Sequence, residues 1–126
     1  MSPLRILIAD DNELVRCGLK MLIEQHDGWT ICGQAADGRE AIDKAVDLKP
    51  DVILLDISMP HLDGLSALPF IRQKAPKSKV LILTVHQSLD LARIAANGGA
   101  SGFIAKSLVW RDLVPEMEAL LDAQAS

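Results

Sequence analysis

The chain has 126 residues, of which 49% are hydrophobic and 24% are charged, and these values indicate one globular domain spanning residues 1–126. The formal net charge is −4, and no run of Lys or Arg occurs, which argues against direct binding to nucleic acid. No apolar stretch approaches about 18 residues, and the N-terminus has no charged-then-apolar signal segment. We therefore expect a cytoplasmic protein that has no contact with a membrane.

Short apolar runs alternate with amphipathic segments along the whole chain. The runs predicted as strands are residues 4–9, 30–35, 52–56, 80–84 and 102–105. The segments predicted as helices are residues 12–26, 39–48, 65–74, 88–96 and 108–123. Five alternating strand–helix units predict an α/β fold, in which a parallel sheet lies between two layers of helices. The flavodoxin-like strand order 2-1-3-4-5 fits this alternation, and its ligand site lies between strands 1 and 3.

Three details of the helices and cysteines follow from the same patterns. Pro69 is predicted to kink or shorten the third helix unless it falls within the first turn, whereas Pro115 is placed late in the first turn of the last helix. The second helix is predicted to turn Ala41, Ile42, Ala45 and Val46 inward. Cys17 and Cys32 form no C-x-x-C motif and are interpreted as free thiols packed as small apolar residues. The sequence does not exclude a disulfide between them.

Polar side chains follow four of the predicted strands where each strand ends. Asp10 and Asp11 follow the first strand, Asp56 ends the third, Thr84 ends the fourth and Lys106 follows the fifth. The carboxyl ends of parallel strands meet at one edge of a sheet, where ligands of open α/β sheets bind. Each residue alone is more often a cap, a turn or a solvated side chain, but their joint placement favours a site for a cation and a phosphoryl group.

The clustered carboxylates predict a Mg²⁺ site. Three carboxylates held together repel one another, and a hard cation that prefers oxygen ligands removes that repulsion. Asp11 and Asp56 are the predicted direct ligands, Asp10 is placed to act through water, and a backbone carbonyl after Asp56 can add another oxygen. Asp56 can then attack phosphorus to form an acyl phosphate, with Lys106 and the Thr84 hydroxyl contacting the phosphoryl oxygens.

These residues lie in motifs that resemble the receiver domain of two-component response regulators, a CheY-like fold. The motifs are Ile8-Ala9-Asp10-Asp11, Leu54-Leu55-Asp56-Ile57-Ser58-Met59-Pro60 with Asp63-Gly64, Leu83-Thr84 and Gly102-Phe103-Ile104-Ala105-Lys106. The resemblance implies phosphorylation of Asp56 by a sensor histidine kinase or a phosphotransfer protein. It assigns Mg²⁺ to Asp10, Asp11, Asp56 and the backbone carbonyl of Ser58, phosphate sensing to Lys106, and switch roles to Thr84 and Phe103.

Finer motifs resemble the NarL/LuxR-type subgroup. They are Leu14-Val15-Arg16-Cys17-Gly18-Leu19, Ile31-Cys32-Gly33-Gln34-Ala35 and Ala36-Asp37-Gly38-Arg39-Glu40-Ala41. Members of this subgroup usually carry a C-terminal helix-turn-helix domain, so we expect transcriptional regulation, with DNA bound only through such a domain outside this chain. The sequence does not decide whether the chain is a stand-alone receiver, nor whether it forms a homodimer. The domain would catalyse its own phosphorylation and dephosphorylation without being a turnover enzyme in the usual sense.

The chain departs from the receiver pattern at three positions. Ser107 stands where many receivers have Pro, Val85 stands where Ala or Gly is frequent, and Phe103 replaces a frequent Tyr. These changes bear on the rates and the switching more than on the identity of the site.

Two other functions compete with this interpretation. The first is a receiver-like interaction module that signals without phosphorylation, and the complete acidic set argues against it. The second is a phosphohydrolase with an aspartyl nucleophile, which usually needs a second acid two residues later, and position 58 is Ser.

Overall fold

The alternating pattern of the sequence produces alternating strands and helices in the structure, a computed structural model that describes residues 3–85 and 89–125, with side chains up to residue 122. The strands are β1 (Leu4–Ala9), β2 (Trp29–Ala35), β3 (Val52–Asp56), β4 (Lys79–Thr84) and β5 (Gly102–Ala105). The helices are α1 (Glu13–Glu24), α2 (Gly38–Leu48), α3 (Gly64–Lys74), α4 (Leu89–Asn97) and α5 (Val109–Ala125), and a 3₁₀ turn (Lys106–Leu108) precedes α5.

The five strands form one parallel sheet in the order β2-β1-β3-β4-β5, which confirms the predicted topology. Ala9 pairs with Leu55, Asp56 with Leu83, and Thr84 with Ala105. The last residues of β1, β3, β4 and β5 therefore lie side by side at one edge of the sheet. This register brings the polar residues of the sequence motifs to a common edge.

The sheet separates two hydrophobic cores, one on each face. One core packs α2, α3 and α4 against the sheet through residues such as Ala41, Ile71 and Ala95. The other core packs α1 and α5 against the opposite face through residues such as Leu19 and Leu113. β1, β3 and β4 contribute apolar residues to both cores, which explains why these strands are continuous apolar runs in the sequence.

Side-chain caps fix the starts of three helices. Asn12 accepts hydrogen bonds from the backbone N–H groups of Leu14 and Val15 at the start of α1. Asp37 caps α2, and Asp63 caps α3 by accepting from Ser66 N. These bonds satisfy N–H groups that have no partner inside the helix.

The two prolines inside helices interrupt neither α3 nor α5. The third helix is not shortened at Pro69, because it continues to Lys74 with Pro69 on its exposed side and Ala67, Leu68 and Ile71 buried. Pro115 lies in the second turn of α5, not in its first turn, because that helix begins at Val109, and the helix continues beyond it. Burial of the apolar sides of these helices outweighs the single backbone hydrogen bond that each proline removes.

Two residues predicted to be packed inside are exposed. Val46 is 40% exposed, because the inward side of α2 is centred on Ala41 and Ala45 and Val46 lies one residue further round the helix. Cys17 is a free thiol, as predicted, but it is exposed on the outer side of α1; Cys32 is free and half-buried. The predicted start of the fourth helix at Ser88 lies outside the described residues.

Within the part of the chain that the structure describes, none of the helices combines the length and apolar character that a bilayer crossing requires.

Candidate functional site at the carboxyl edge of the sheet

Three carboxylates converge where β1 and β3 end. Asp10, Asp11 and Asp56 each offer a carboxylate oxygen, and these oxygens lie within 4.8 Å of one another. Asp10 and Asp56 are buried, whereas Asp11 is exposed at the mouth of the cluster. A cavity of about 620 Å³ opens beside Asp11 and the β3–α3 loop, which gives the cluster access to solvent. Like charges this close need a compensating cation.

Lys106 supplies one compensating charge from the end of β5. Its Nζ lies 2.6 Å from Asp10 Oδ2 and 2.9 Å from Asp56 Oδ2, and its side chain is 18% exposed. The ammonium group therefore bridges two carboxylates from different strands. It is one positive charge against three negative ones, so the cluster keeps an excess of negative charge.

Burial and pairing shift the pKa values of Asp56 and Lys106. Burial raises the pKa of Asp56, and the neighbouring Asp10 raises it further, whereas the hydrogen bond from Lys106 opposes the rise. Burial lowers the pKa of Lys106, but its pairing with Asp10 and Asp56 outweighs that effect and leaves this pKa raised. Lys106 is therefore a stable cation, and its charge favours the ionised form of Asp56.

The backbone around Asp10 is fixed by neighbours on α1 and β2. Asp10 Oδ1 accepts a hydrogen bond from Asn12 N, and its backbone carbonyl accepts one from Arg16 Nη1 at 2.7 Å. Arg16 Nε also donates to Gln34 Oε1 on β2. Asp10 Oδ2 is buried without a hydrogen-bond donor in suitable geometry, although the ammonium nitrogen of Lys106 lies 2.6 Å from it. This oxygen has lone pairs left for a further ligand.

The loop between β3 and α3 holds Asp56 against the helix that follows. Ser58 N donates to Asp56 Oδ1, and Gly64 N donates to the carbonyl of Ile57. A Cβ atom at position 64 would lie 2.0 Å from the backbone oxygen of Asp56, so only glycine allows α3 to begin so close to the end of β3. His61 is exposed in this loop and has a φ of 66°.

Thr84 and Phe103 lie at the β4 and β5 side of the same edge. Thr84 is buried at the end of β4 and pairs with Ala105, the residue before Lys106. Phe103 is half-buried and lines a cavity of about 460 Å³ with Leu89 and Ala92 of α4. Phe103 is therefore outside the carboxylate cluster, on the surface between α4 and α5. Val85, directly after Thr84, is 64% exposed.

The structure brings together most of the residues selected from the sequence. Asp10, Asp11, Asp56 and Lys106 form one contacting group, and Ser58 touches it through its backbone N–H. The sequence reasoning did not identify Arg16. Its signal was weak: a charged residue between the inward-facing Val15 and Leu19 of α1 has to find a polar partner at the edge of the sheet.

Comparison with known proteins identifies a family. The family model described as "Response regulator receiver domain" matches residues 6–118. The chain is 38% identical over 117 residues to the transcriptional regulatory protein YdfI of Bacillus subtilis, covering 93% of this chain and 54% of that protein. It is 34% identical over 113 residues to the nitrate/nitrite response regulator NarL of Escherichia coli, covering 90% of this chain and 52% of that protein.

Solved structures agree with this match. The crystal structure of a LuxR-family two-component response regulator from Aurantimonas sp. SI85-9A1 superimposes with a TM-score of 0.91 at 36% sequence identity, covering 97% of this chain and 87% of that chain. The chain spans about half of the length of the two curated relatives, YdfI and NarL.

Proposed function

This chain belongs to the response regulator receiver domain family, and we propose that it accepts a phosphoryl group on Asp56 and passes the change to an effector. The observation that carries this proposal is the contact of Lys106 Nζ with both Asp10 and Asp56 inside a cluster of three carboxylates. Lys106 places a positive charge beside the Asp56 carboxylate. A group transferred to Asp56 needs such a charge, because negative charge accumulates on the phosphoryl oxygens as the bond forms.

The donor set of the cluster fits Mg²⁺. Three carboxylates lie within 4.8 Å of one another, and the buried Oδ2 of Asp10 lacks a hydrogen-bond donor in suitable geometry. Asp10, Asp11, Asp56 and the backbone carbonyl of Ser58 would hold the ion, all through the hard oxygen ligands that Mg²⁺ prefers. When bound, the ion supplies charge neutralisation for the phosphoryl oxygens.

The protein's own residues account for the remaining chemistry. An Asp56 carboxylate oxygen forms a bond to phosphorus while the bond from phosphorus to the imidazole nitrogen of a phosphohistidine donor breaks, and the imidazole keeps the electron pair. Lys106 opposes the rise in the pKa of Asp56 before the transfer, and it lies next to the negative charge that the transfer adds. The phosphoryl group carries about −1.5 to −2 charges at neutral pH, in place of the single charge of the Asp56 carboxylate. That charge lies next to Lys106 and near the ends of β4 and β5.

Thr84 and Phe103 are placed to pass on the change. Thr84 ends β4 next to Ala105, and its hydroxyl is the switch donor in this proposal. Phe103 has no hydroxyl, so its movement depends on packing in the cavity that it shares with Leu89 and Ala92. A sensor histidine kinase or a phosphotransfer protein would be the donor. The effector would be a C-terminal helix-turn-helix domain that regulates transcription, since the relatives include transcriptional regulators about twice as long as this chain.

The direct test is the intact mass of the protein after incubation with acetyl phosphate and Mg²⁺. We expect one phosphoryl adduct on the wild type and none on Asp56→Asn or in excess EDTA. Lys106→Met should still form some adduct at a reduced rate, because it keeps the nucleophile but loses the neighbouring cation. Asp43→Asn removes the same charge as Asp56→Asn, but from the exposed side of α2. It is the matched control and should react like the wild type. An adduct that persists in Asp56→Asn would refute the proposal.

A further inference from the structure

One polar side chain from each of the three finer sequence motifs lies in a single chain of contacts. The motifs that resemble the NarL/LuxR-type subgroup contain Arg16 on α1, Gln34 on β2 and Glu40 on α2. All three residues are partly buried, so each of them needs a polar partner. None of them has a part in the phosphoryl chemistry proposed above. Their contacts lead to the acidic cluster and end at Asp10.

Arg16 holds the peptide that joins the first two acids of the cluster. Its Nη1 donates to the backbone carbonyl of Asp10 at 2.7 Å, and this carbonyl belongs to the planar peptide between Asp10 and Asp11. The pairing of β1 with β3 ends at Ala9, one residue before that peptide. On the other side, the N–H of Asp10 donates to the carbonyl of Ala35 on β2. The directions in which both carboxylates leave the backbone therefore depend on the bond from Arg16.

Gln34 orients the guanidinium group and is itself tied to α2. Its Oε1 accepts from Arg16 Nε at 3.0 Å, and its backbone carbonyl accepts from Lys44 Nζ. Lys44 Nζ also lies 3.6 Å from Glu40 Oε1, the oxygen that accepts a hydrogen bond from Ala36 N. The orientation of the guanidinium group is thus set by residues of β2 and α2, outside the helix that carries it.

The two contacts of Arg16 use the shape of the guanidinium group more than its charge. Nε and Nη1 belong to one rigid plane, so a bond at one nitrogen fixes the direction of the bond at the other. A lysine at this position would offer a single nitrogen on a flexible stem. The positive charge by itself repels any second cation that approaches the cluster. Shape and charge therefore affect the binding of a cation in opposite directions.

We propose that Arg16, oriented by Gln34, is a positioning residue that arranges Asp10 and Asp11 for Mg²⁺. The inference rests on the proposed function, because it concerns the metal site of that function. The carboxylate oxygens of Asp10, Asp11 and Asp56 lie within 4.8 Å of one another, and Mg²⁺ demands nearly ideal octahedral geometry from its ligands. Residues that orient metal ligands from behind typically change metal affinity by about 10–100-fold when they are replaced.

Titration of Mg²⁺ into the ¹⁵N-labelled protein without a phosphodonor tests the proposal, with the amide signals of the acidic cluster reporting the Kd. We expect the Kd of Arg16→Met to rise about tenfold, although this variant removes a positive charge near the site. An effect of charge alone would lower the Kd, so the sign of the change separates the two. Arg16→Lys should also bind more weakly than the wild type, because it keeps the charge and loses the planar group.

Two further variants control for charge and for folding. Arg39→Met removes an exposed positive charge from α2 and should keep the wild-type Kd. Gln34→Met changes no charge, and we expect it to raise the Kd about threefold because Arg16 loses its orienting bond. In an Arg16→Met background, Gln34→Met should have no further effect. Circular dichroism at the temperature of the titration establishes that each variant is folded.

The rate of adduct formation with acetyl phosphate gives a second readout. The Mg²⁺ concentration for half the maximal rate should rise about tenfold in Arg16→Met, while the rate at saturating Mg²⁺ stays within about twofold of the wild type.

The proposal is overturned if Arg16→Met and Arg16→Lys keep the wild-type Kd, or if Arg16→Met binds Mg²⁺ more tightly. A wild type that binds no Mg²⁺ overturns it as well, together with the metal site of the proposed function. A wild type that binds Mg²⁺ and forms no adduct refutes phosphorylation of Asp56 alone, and the Kd values of the variants still decide the role of Arg16.

Discussion

At the scale of single residues, Asp56 carries an electrostatic cost that its function requires. It is buried beside Asp10, and both burial and that neighbour raise its pKa, while Lys106 only partly offsets them. The folded protein therefore binds a proton at Asp56 more tightly than the unfolded chain does. A bound proton stabilises the fold below the ordinary pKa of aspartate, and this stabilisation is lost as the pH rises through the raised pKa.

Asp56→Asn should consequently stabilise the protein at neutral pH. We expect the free energy of unfolding to rise by about 1 kcal/mol above pH 7, with the gain shrinking towards zero in acid, where the wild-type carboxyl is itself neutral. Urea denaturation between pH 4 and pH 8 measures this difference. Asp43→Asn, which removes an exposed charge, should show no comparable gain. A loss of stability in Asp56→Asn at pH 7 would mean that the ion pair with Lys106 outweighs burial.

At the scale of elements, the start of α3 determines where the β3–α3 loop can go. Gly64 is the first residue of α3, and its N–H donates to the Ile57 carbonyl just after the end of β3. The sequence indicated that Asp63-Gly64 is a motif, but the reason lies in the close approach of two backbone segments. No pattern of hydrophobicity reports such an approach, because it depends on how the loop is placed in three dimensions.

Gly64→Ala should therefore destabilise the protein, although alanine is the better helix former. The new Cβ would lie 2.0 Å from the Asp56 backbone oxygen, so either α3 or the end of β3 must move. We expect a loss of about 2–3 kcal/mol in the free energy of unfolding, measured by urea denaturation. Gln73→Ala on the exposed side of the same helix serves as the control and should stay within about 0.5 kcal/mol of the wild type. Equal stabilities of the two variants would contradict the close approach.

The two cysteines should differ in reactivity because they lie on different elements. Cys17 is exposed on α1, whereas Cys32 is half-buried on β2 and burial raises the pKa of its thiol. At pH 8 we expect iodoacetamide to modify Cys17 several times faster than Cys32, because less thiolate forms at Cys32 and the reagent reaches it less easily. Peptide mapping over time gives both rates. Faster labelling of Cys32 would be inconsistent with its position in the sheet.

At the scale of the whole molecule, the fold was predictable because its signals are periodic. Five apolar runs alternating with five amphipathic segments indicated the parallel sheet, and the register then placed every strand-end residue at one edge. The proximity of Asp10, Asp11, Asp56 and Lys106 was predictable for the same reason. What the sequence could not provide was distance: Lys106 reaches Asp56 across 50 residues of sequence, and only the packed sheet makes that contact.

The errors of the sequence interpretation have a common cause. Val46 was placed inside by helical periodicity, but the narrow inward side of α2 is filled by Ala41 and Ala45. Pro115 was placed in the first turn of α5, but that helix begins at Val109 and Pro115 lies in its second turn. Both expectations used local rules, and tertiary packing overrode them.

The central claim is that the phosphoryl group is carried by the carboxylate of Asp56 and by no other member of the cluster. Borohydride reduction of the protein after treatment with acetyl phosphate and Mg²⁺, followed by peptide mass mapping, tests it most directly, because reduction converts an aspartyl phosphate to homoserine. The account predicts homoserine at position 56 alone. Homoserine at position 10 or 11, or an adduct mapped to a serine, threonine or histidine side chain, would contradict it.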